Sequence, residues 1–118
     1  VENERSPRYR EFTDVLDFCN KHGLAYLAWS PLGGGSDAGK LGELYPAFAE
    51  VAISHNATAQ EVALAWLLTQ GTAMLPIPAF TRKETADSTA RAVDIKLSVA
   101  EIDLLNASHT GNGSLYPD

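Results

Sequence analysis

The sequence predicts an α/β domain in which parallel strands alternate with helices, and three observations carry that reading. Residues 24–29 and 73–78 are short, almost unbroken apolar runs, the pattern of a strand covered on both faces in a parallel sheet. Between and after them lie segments with helical start signals and apolar spacing. The resulting order is β, α, β, α, α, β, α, α, and strands joined by helical crossovers run parallel.

Taken along the chain, Val1 to Glu4 reads as the end of a strand. It has no initiator methionine and enters ordered structure at once, so it reads as a processed, cloned or excised segment. Ser6-Pro7 offers an N-cap with proline at the first helical position. Phe12, Val15, Leu16 and Cys19 then give an inward stripe, and Lys21, His22 and Gly23 close the helix with cations and a glycine cap. The strand at 24–29 leads into a loop rich in serine, proline and glycine at residues 30–36. A helix is expected over residues 44–55 with Phe48, Val51 and Ala52 inward.

The helix that follows starts at a capping box, Thr58 with Glu61, in which each side chain satisfies a free backbone donor of the other. Val62, Leu64, Ala65, Trp66 and Leu68 make it nearly all apolar, so it should be deeply packed up to Gly71. The prolines of the strand at 73–78 place it near a strand end or a bulge. Thr81 with Glu84 and Ser98 with Glu101 read as two further capping boxes, opening helices to about Ala92 and through Ile102 and Leu105. Residues 1–108 form the domain, and the glycine-rich, polar residues 109–118 read as a mobile tail.

Composition narrows the function classes. The 118 residues are 45% apolar and 20% charged, as in an ordinary globular domain. A net charge of −6 gives no electrostatic pull on nucleic acid or anionic membrane, and no apolar run is long enough to span a bilayer. Cys19 is the single cysteine, which excludes an internal disulfide and fits a reducing cytoplasm. No zinc-ligand spacing joins Cys19 to the three histidines.

Two segments could carry chemistry. Trp29, Ser30, Pro31, Leu32 and Gly33 to Gly35 follow a strand end, where α/β proteins bind ligands and where glycine lets backbone approach closely. The same residues also suit a flexible loop after a core tryptophan. Residues 77–84 place Arg82 and Lys83 in the first turn of a helix, against the macrodipole, unless an anion sits there too. Two solvated cations neutralised by Glu84 are the other reading.

These segments resemble, in order and spacing, the aldo-keto reductase family over residues 1–108. Residues 28–35 look like the segment after its seventh barrel strand, residues 58–68 like its seventh helix, and Ile77-Pro78 like the opening of its eighth strand. Val1 to Glu4 looks like the end of its sixth strand. The resemblance implies the C-terminal portion of a TIM (β/α)8 barrel, strands six to eight, binding NADP(H) across the C-terminal ends of the strands. It places Trp29 against the nicotinamide, and Ser30, Pro31, Leu32 and Gly33 along the pyrophosphate. Arg82, with Thr81 beside it, falls in the loop that holds the adenosine 2′-phosphate, Thr89 falls near the adenine, and Thr85 counts among the cofactor-binding residues. Glu2 stands where the family usually has glutamine at the nicotinamide amide, and an ionised carboxylate can only accept there. Ser88 and Thr89 replace a usual glutamate and asparagine, and Ala79 and Phe80 replace a small or basic polar pair.

No residues match the family's catalytic tetrad of aspartate, tyrosine, lysine and histidine. His22, His55 and His109 read as surface residues, Tyr26 lies inside a buried strand, and Tyr9, Tyr45 and Tyr116 have no partners in a catalytic pattern. Without a general acid near the carbonyl oxygen, hydride transfer has no proton partner. The expectation is an oxidoreductase portion that in the complete protein reduces aldehydes or ketones with NADPH and is inactive alone. A non-catalytic nucleotide-binding or regulatory interaction module and a truncated segment with no function of its own remain alternatives. Strands lacking neighbours would favour self-association.

Overall fold

The computed structural model describes residues 1–34, 37–79 and 82–108. Gly35, Ser36, Phe80, Thr81 and the tail with His109 and Tyr116 lie outside the described residues.

A parallel three-stranded sheet, in the order β1-β2-β3, organises the chain. The strands are β1 (Glu2–Glu4), β2 (Tyr26–Trp29) and β3 (Met74–Ile77). Glu2 pairs with Leu27 and Glu4 with Trp29, while Tyr26 pairs with Met74 and Trp29 with Ile77. Between β1 and β2 lies α1 (Thr13–His22). A 3-10 turn (Ala38–Lys40), α2 (Leu41–Leu44), α3 (Pro46–Ser54) and α4 (Ala59–Leu68) connect β2 to β3. After β3 come α5 (Lys83–Arg91), a 3-10 turn (Ala92–Asp94) and α6 (Val99–Ala107). The α/β prediction and the parallel strand direction both hold.

The register puts Tyr26, Ala28 and Met74 on one face of the sheet, and all three are buried in the core with Leu16, Cys19, Phe48, Val62, Trp66, Leu67 and Leu105. Leu27, Trp29, Leu75 and Ile77 share the other face. There Leu75 and Ile77 are 49% and 47% exposed. The expectation of strands covered on both faces is corrected here: helices cover one face, and among the described residues nothing closes over the other. β3 is an edge strand, the position that tolerates Pro76.

Start and stop signals contained within a few residues of chain match the structure. Two of the three expected capping boxes, Thr58 with Glu61 and Ser98 with Glu101, form with reciprocal hydrogen bonds. Gly23 caps α1 in the left-handed region (φ 67), its N–H donating to the Cys19 carbonyl. Phe48, Val51 and Ala52 point inward as expected.

The first helix begins later than Ser6-Pro7 implied. The buried Ser6 hydroxyl accepts from the N–H groups of Arg8 and Tyr9, both at 3.1 Å, and so closes a single turn. The chain then passes through Phe12 in the left-handed region (φ 56) before α1 starts at Thr13. Phe12 therefore precedes the helix and is half exposed, while Leu16 and Cys19 fill the inward stripe. The helix expected over residues 44–55 is also shorter, because Pro46 cannot continue a preceding helix and Tyr45 sits at φ −131, ψ 77. Leu68, expected inward, is 38% exposed at the last turn of α4.

Arg10 ties the β1–α1 connection to the far end of the chain. Its guanidinium lies 4.6 Å from the Trp66 ring centroid and donates to the carbonyls of Leu105 (2.8 Å) and Asn106 (3.2 Å) at the end of α6. Nε donates to the Pro7 carbonyl at 2.9 Å. Trp66 meets Phe48 edge-on at 5.6 Å and donates from Nε1 to Asn106 Oδ1. Arg5 is buried on the helix side of the sheet and donates to Gln70 Oε1 and the Glu11 carbonyl. Burial pushes the Tyr26 phenol up and the Arg5 guanidinium down, and their proximity opposes both shifts.

Candidate functional site

The loop after β2 turns sharply at once. Ser30 takes φ 50 and Gly33 and Gly34 take φ 91 and 88, with the Gly33 N–H donating to the Ser30 carbonyl at 3.0 Å. A non-glycine residue at positive φ is uncommon and costs of order 1 kcal/mol, so Ser30 is held there by its surroundings. Two polar ties fix the loop from outside. Arg8 Nη1 meets Asp37 Oδ2 at 2.8 Å, and Gln60 Nε2 donates to the Ala38 carbonyl at 2.9 Å.

Opposite it stands α5. Arg82 is its N-cap residue, at φ −124 and ψ 147, with no side-chain cap bond. The capping box expected from Thr81 with Glu84 is corrected on this point: the helix starts one residue later, and Thr81 itself is outside the described residues. The first-turn N–H groups of α5 have no intrahelical acceptor, the usual state of a helix start. Lys83 is taken up by Asp87 one turn on, at 2.7 Å and largely exposed. Of the two cations expected at an anion site, Arg82 is the one without an ion pair among the described residues.

Loop, α4 and α5 enclose a cleft of about 380 Å³. The loop supplies Leu32, Ala38 and Gly39; α4 and its cap supply Thr58, Gln60, Glu61 and Leu64. Arg82, Glu84, Thr85, Ser88 and Thr89 line the α5 side, with Ala79 below. A second hollow of about 180 Å³ shares Leu32, Ala38 and Ala79 and reaches Ser30, Pro31, Gly34, Ile77 and Pro78 at the C-terminal ends of β2 and β3. Together they make one groove from the strand ends to the start of α5.

Among the residues singled out in the sequence, the groove gathers Ser30, Pro31, Leu32, Arg82, Thr85 and Thr89. Gly33 shapes the loop beside it. Trp29 is half-buried on the open sheet face next to Ser30, and Glu2 is exposed on that face one strand away, paired with Leu27. Thr89 Oγ1 donates to the Thr85 carbonyl at 2.9 Å, so its hydroxyl faces a ligand as an acceptor. Gln60 and Glu61 line the groove unanticipated. The available signal was Gln60, a polar residue at the head of an almost wholly apolar helix.

The histidines lie elsewhere. His22 packs on Phe18 at the end of α1. His55 Nε2 sits 2.9 Å from both Glu101 carboxylate oxygens, joining α3 to α6. The Ser98 backbone N–H, and after it His55, hold the Glu101 carboxyl below its ordinary range. Cys19 is fully buried. Among the described residues no three metal-ligating side chains gather, and no helix is long and apolar enough to cross a membrane.

Comparison with known proteins points to one family. The aldo/keto reductase family model matches residues 1–109. A 9,11-endoperoxide prostaglandin H2 reductase of Trypanosoma cruzi is 34% identical over 106 residues, covering 87% of this chain and 36% of that protein. The methylglyoxal reductase YeaE of Escherichia coli is 32% identical, over 81% of this chain and 34% of its own length. The solved thermostable aldo-keto reductase Tm1743, in complex with the inhibitor epalrestat, superposes with a TM-score of 0.76 at 31% identity, covering 90% of this chain and 38% of that one. An aldo-keto reductase from a deep-sea metagenome gives 0.80 over 99% of this chain and 41% of its own, its 18% identity speaking to fold alone. The chain thus spans little more than a third of the relatives it matches, and its three parallel strands and their helices are part of a TIM barrel. With the family model running through β1, the groove and α6, the chain belongs to the aldo-keto reductase family.

Proposed function

We propose that this chain is the cofactor-side portion of an NADP(H)-dependent aldo-keto reductase, which in complete form reduces an aldehyde or ketone to an alcohol. The observation that carries the reading is the groove itself. It runs from the strand ends to α5 and is lined by Arg82 at one end and by Ser30, Pro31 and Gly34 of the loop at the other. Bound NADP(H) would supply a hydride.

The chain's own residues would bind and orient the cofactor. Arg82 offers a planar fork to a phosphate beside the free N–H groups of the α5 start. Gly33 and Gly34 keep side chains away from the pyrophosphate path. Trp29 would stack its flat ring on the nicotinamide, and Glu2 would accept from the nicotinamide amide. Ser88 and Thr89 give the adenine end small hydroxyl groups, a weaker hold than a carboxylate and an amide. Among the described residues the groove is lined by no tyrosine, histidine or lysine, and with no match to the family's tetrad in the sequence the chain alone would not turn over a carbonyl substrate.

Tryptophan fluorescence during NADPH and NADH titration tests this reading. Quenching with tighter binding of NADPH is expected, and Arg82→Met should remove the preference by weakening NADPH about tenfold, the loss of one charge-assisted pair. Equal affinity for the two nucleotides in the unmodified chain would refute the role of Arg82. No quenching at millimolar NADPH would refute the cofactor reading.

A further inference from the structure

α5 and its N-cap Arg82 carry five of the groove's lining positions, yet the helix contributes no buried side chain to the core. It rests on α4 and on the 3-10 turn that follows it. Two of its polar side-chain bonds are internal, Lys83 to Asp87 and Thr89 to the Thr85 carbonyl. Among the described residues, the polar side-chain bond that leaves α5 for another element runs from Arg91 Nε to Glu61 Oε2 at 3.2 Å. Next to it Ala92 is 2% exposed, so the C-terminal end of the helix is the anchored one.

Glu61 is an unusual anchor. It is 5% exposed, and its Oε1 accepts from the Thr58 N–H and hydroxyl in the capping box of α4. Oε2 is left to Arg91. A buried carboxylate needs its acceptor sites filled, and a guanidinium supplies both charge and direction. Glu61 also stands in the wall between the groove and a separate hollow lined by His55, Asp94 and Lys96. The rigid start of α4 and the end of α5 therefore meet at one carboxylate.

We infer that Glu61 and Arg91 are positioning residues for the groove, a clasp that fixes the angle of α5 and so the place of Arg82. This inference rests on the cofactor reading above. The lever is long: Arg82 lies about 13 Å along the helix from Arg91, so a tilt of about 5° at the clasp moves the phosphate end by about 1 Å. Displacement of that size is enough to spoil a bidentate contact. An element with no buried side chain belongs to the low-stability end of a fold, where one tie sets the population of the docked state.

Amide hydrogen exchange of the whole chain, without nucleotide, is the direct test, with NADPH titration beside it. Arg91→Met and Glu61→Gln should each raise exchange at the α5 amides several-fold while leaving α4 beyond its first turn unchanged. Each should weaken NADPH about fivefold, the double variant should weaken it no more than either single one, and Arg91→Lys should restore part of the loss. Unchanged α5 exchange in Arg91→Met overturns the clasp. Faster exchange with unaltered NADPH affinity overturns the positioning role and leaves a purely structural pair. If the unmodified chain binds no NADPH while α5 still loosens in Arg91→Met, the cofactor reading has failed and the positioning role falls with it, although the clasp itself stands.

Discussion

Replacing Arg10 by methionine should cost this small fold a large share of its stability, and the structure sets the size. Methionine keeps the apolar stem and removes the guanidinium. Lost are three charge-assisted hydrogen bonds, one to the Pro7 carbonyl at 2.9 Å and two to the Leu105 and Asn106 carbonyls near the end of α6 at 2.8 and 3.2 Å, and the stack 4.6 Å above Trp66. Half-exposed charged hydrogen bonds of this kind contribute about 1 kcal/mol each, and a partly desolvated cation–π contact about 1 kcal/mol more. Burial opposes them, pushing the Arg10 guanidinium down to about 10, which still leaves it protonated at neutral pH. A net loss of about 2 kcal/mol follows, equivalent to roughly 8 °C in Tm for a chain of this size. Thermal unfolding monitored by Trp66 fluorescence is the assay. Arg10→Lys should fall between the two, because a point charge cannot serve both carbonyls while lying flat on the indole. A loss below about 0.5 kcal/mol in Arg10→Met, on the scale of an ordinary surface substitution, would refute this account of how the ends of the chain are joined.

Two further predictions concern pH and the groove. Glu101 is held below its ordinary range in the folded chain, so the unfolded chain takes up the proton first as pH falls. Stability from this group is fully present above about pH 4.5 and declines as pH drops toward the folded value; Glu101→Gln should flatten Tm against pH in that acid window. Parallel curves for the two proteins would contradict the assignment. Gly33→Ala, at φ 91, should lower stability by about 1–2 kcal/mol through backbone strain, since the added Cβ meets only ordinary contact, 3.6 Å from the Asp37 Cβ. Urea unfolding reads the loss, and an unchanged midpoint would show that the turn relaxes elsewhere.

The elements legible in the sequence are those whose cause is local. A capping box at Thr58 or Ser98 contains both of its partners, and Phe48, Val51 and Ala52 declare one face of one helix. Ser6-Pro7 misled because the same hydroxyl chemistry that caps a helix also closes a single turn, and only the contacts of Arg10 with α6 show where the chain goes next. One open sheet face was invisible for a related reason: an apolar run records that a strand expects cover, not whether a neighbour supplies it. In the groove, the loop residues after Trp29 were readable from glycine and strand-end logic. Gln60 and Glu61 were not, since each acts through a partner far away in sequence, Ala38 and Arg91.

The central claim is that this chain carries half of a nucleotide site in the groove between the β2 loop and α5. Mapping NADPH onto the ¹⁵N-labelled chain by NMR tests it most directly. The account predicts saturable shifts at the amides of Leu32, Ala38, Gly39, Thr85 and Ser88 and at the Trp29 indole, with the Trp66 indole unmoved. Shifts confined to other surfaces, or none at millimolar NADPH, would contradict it.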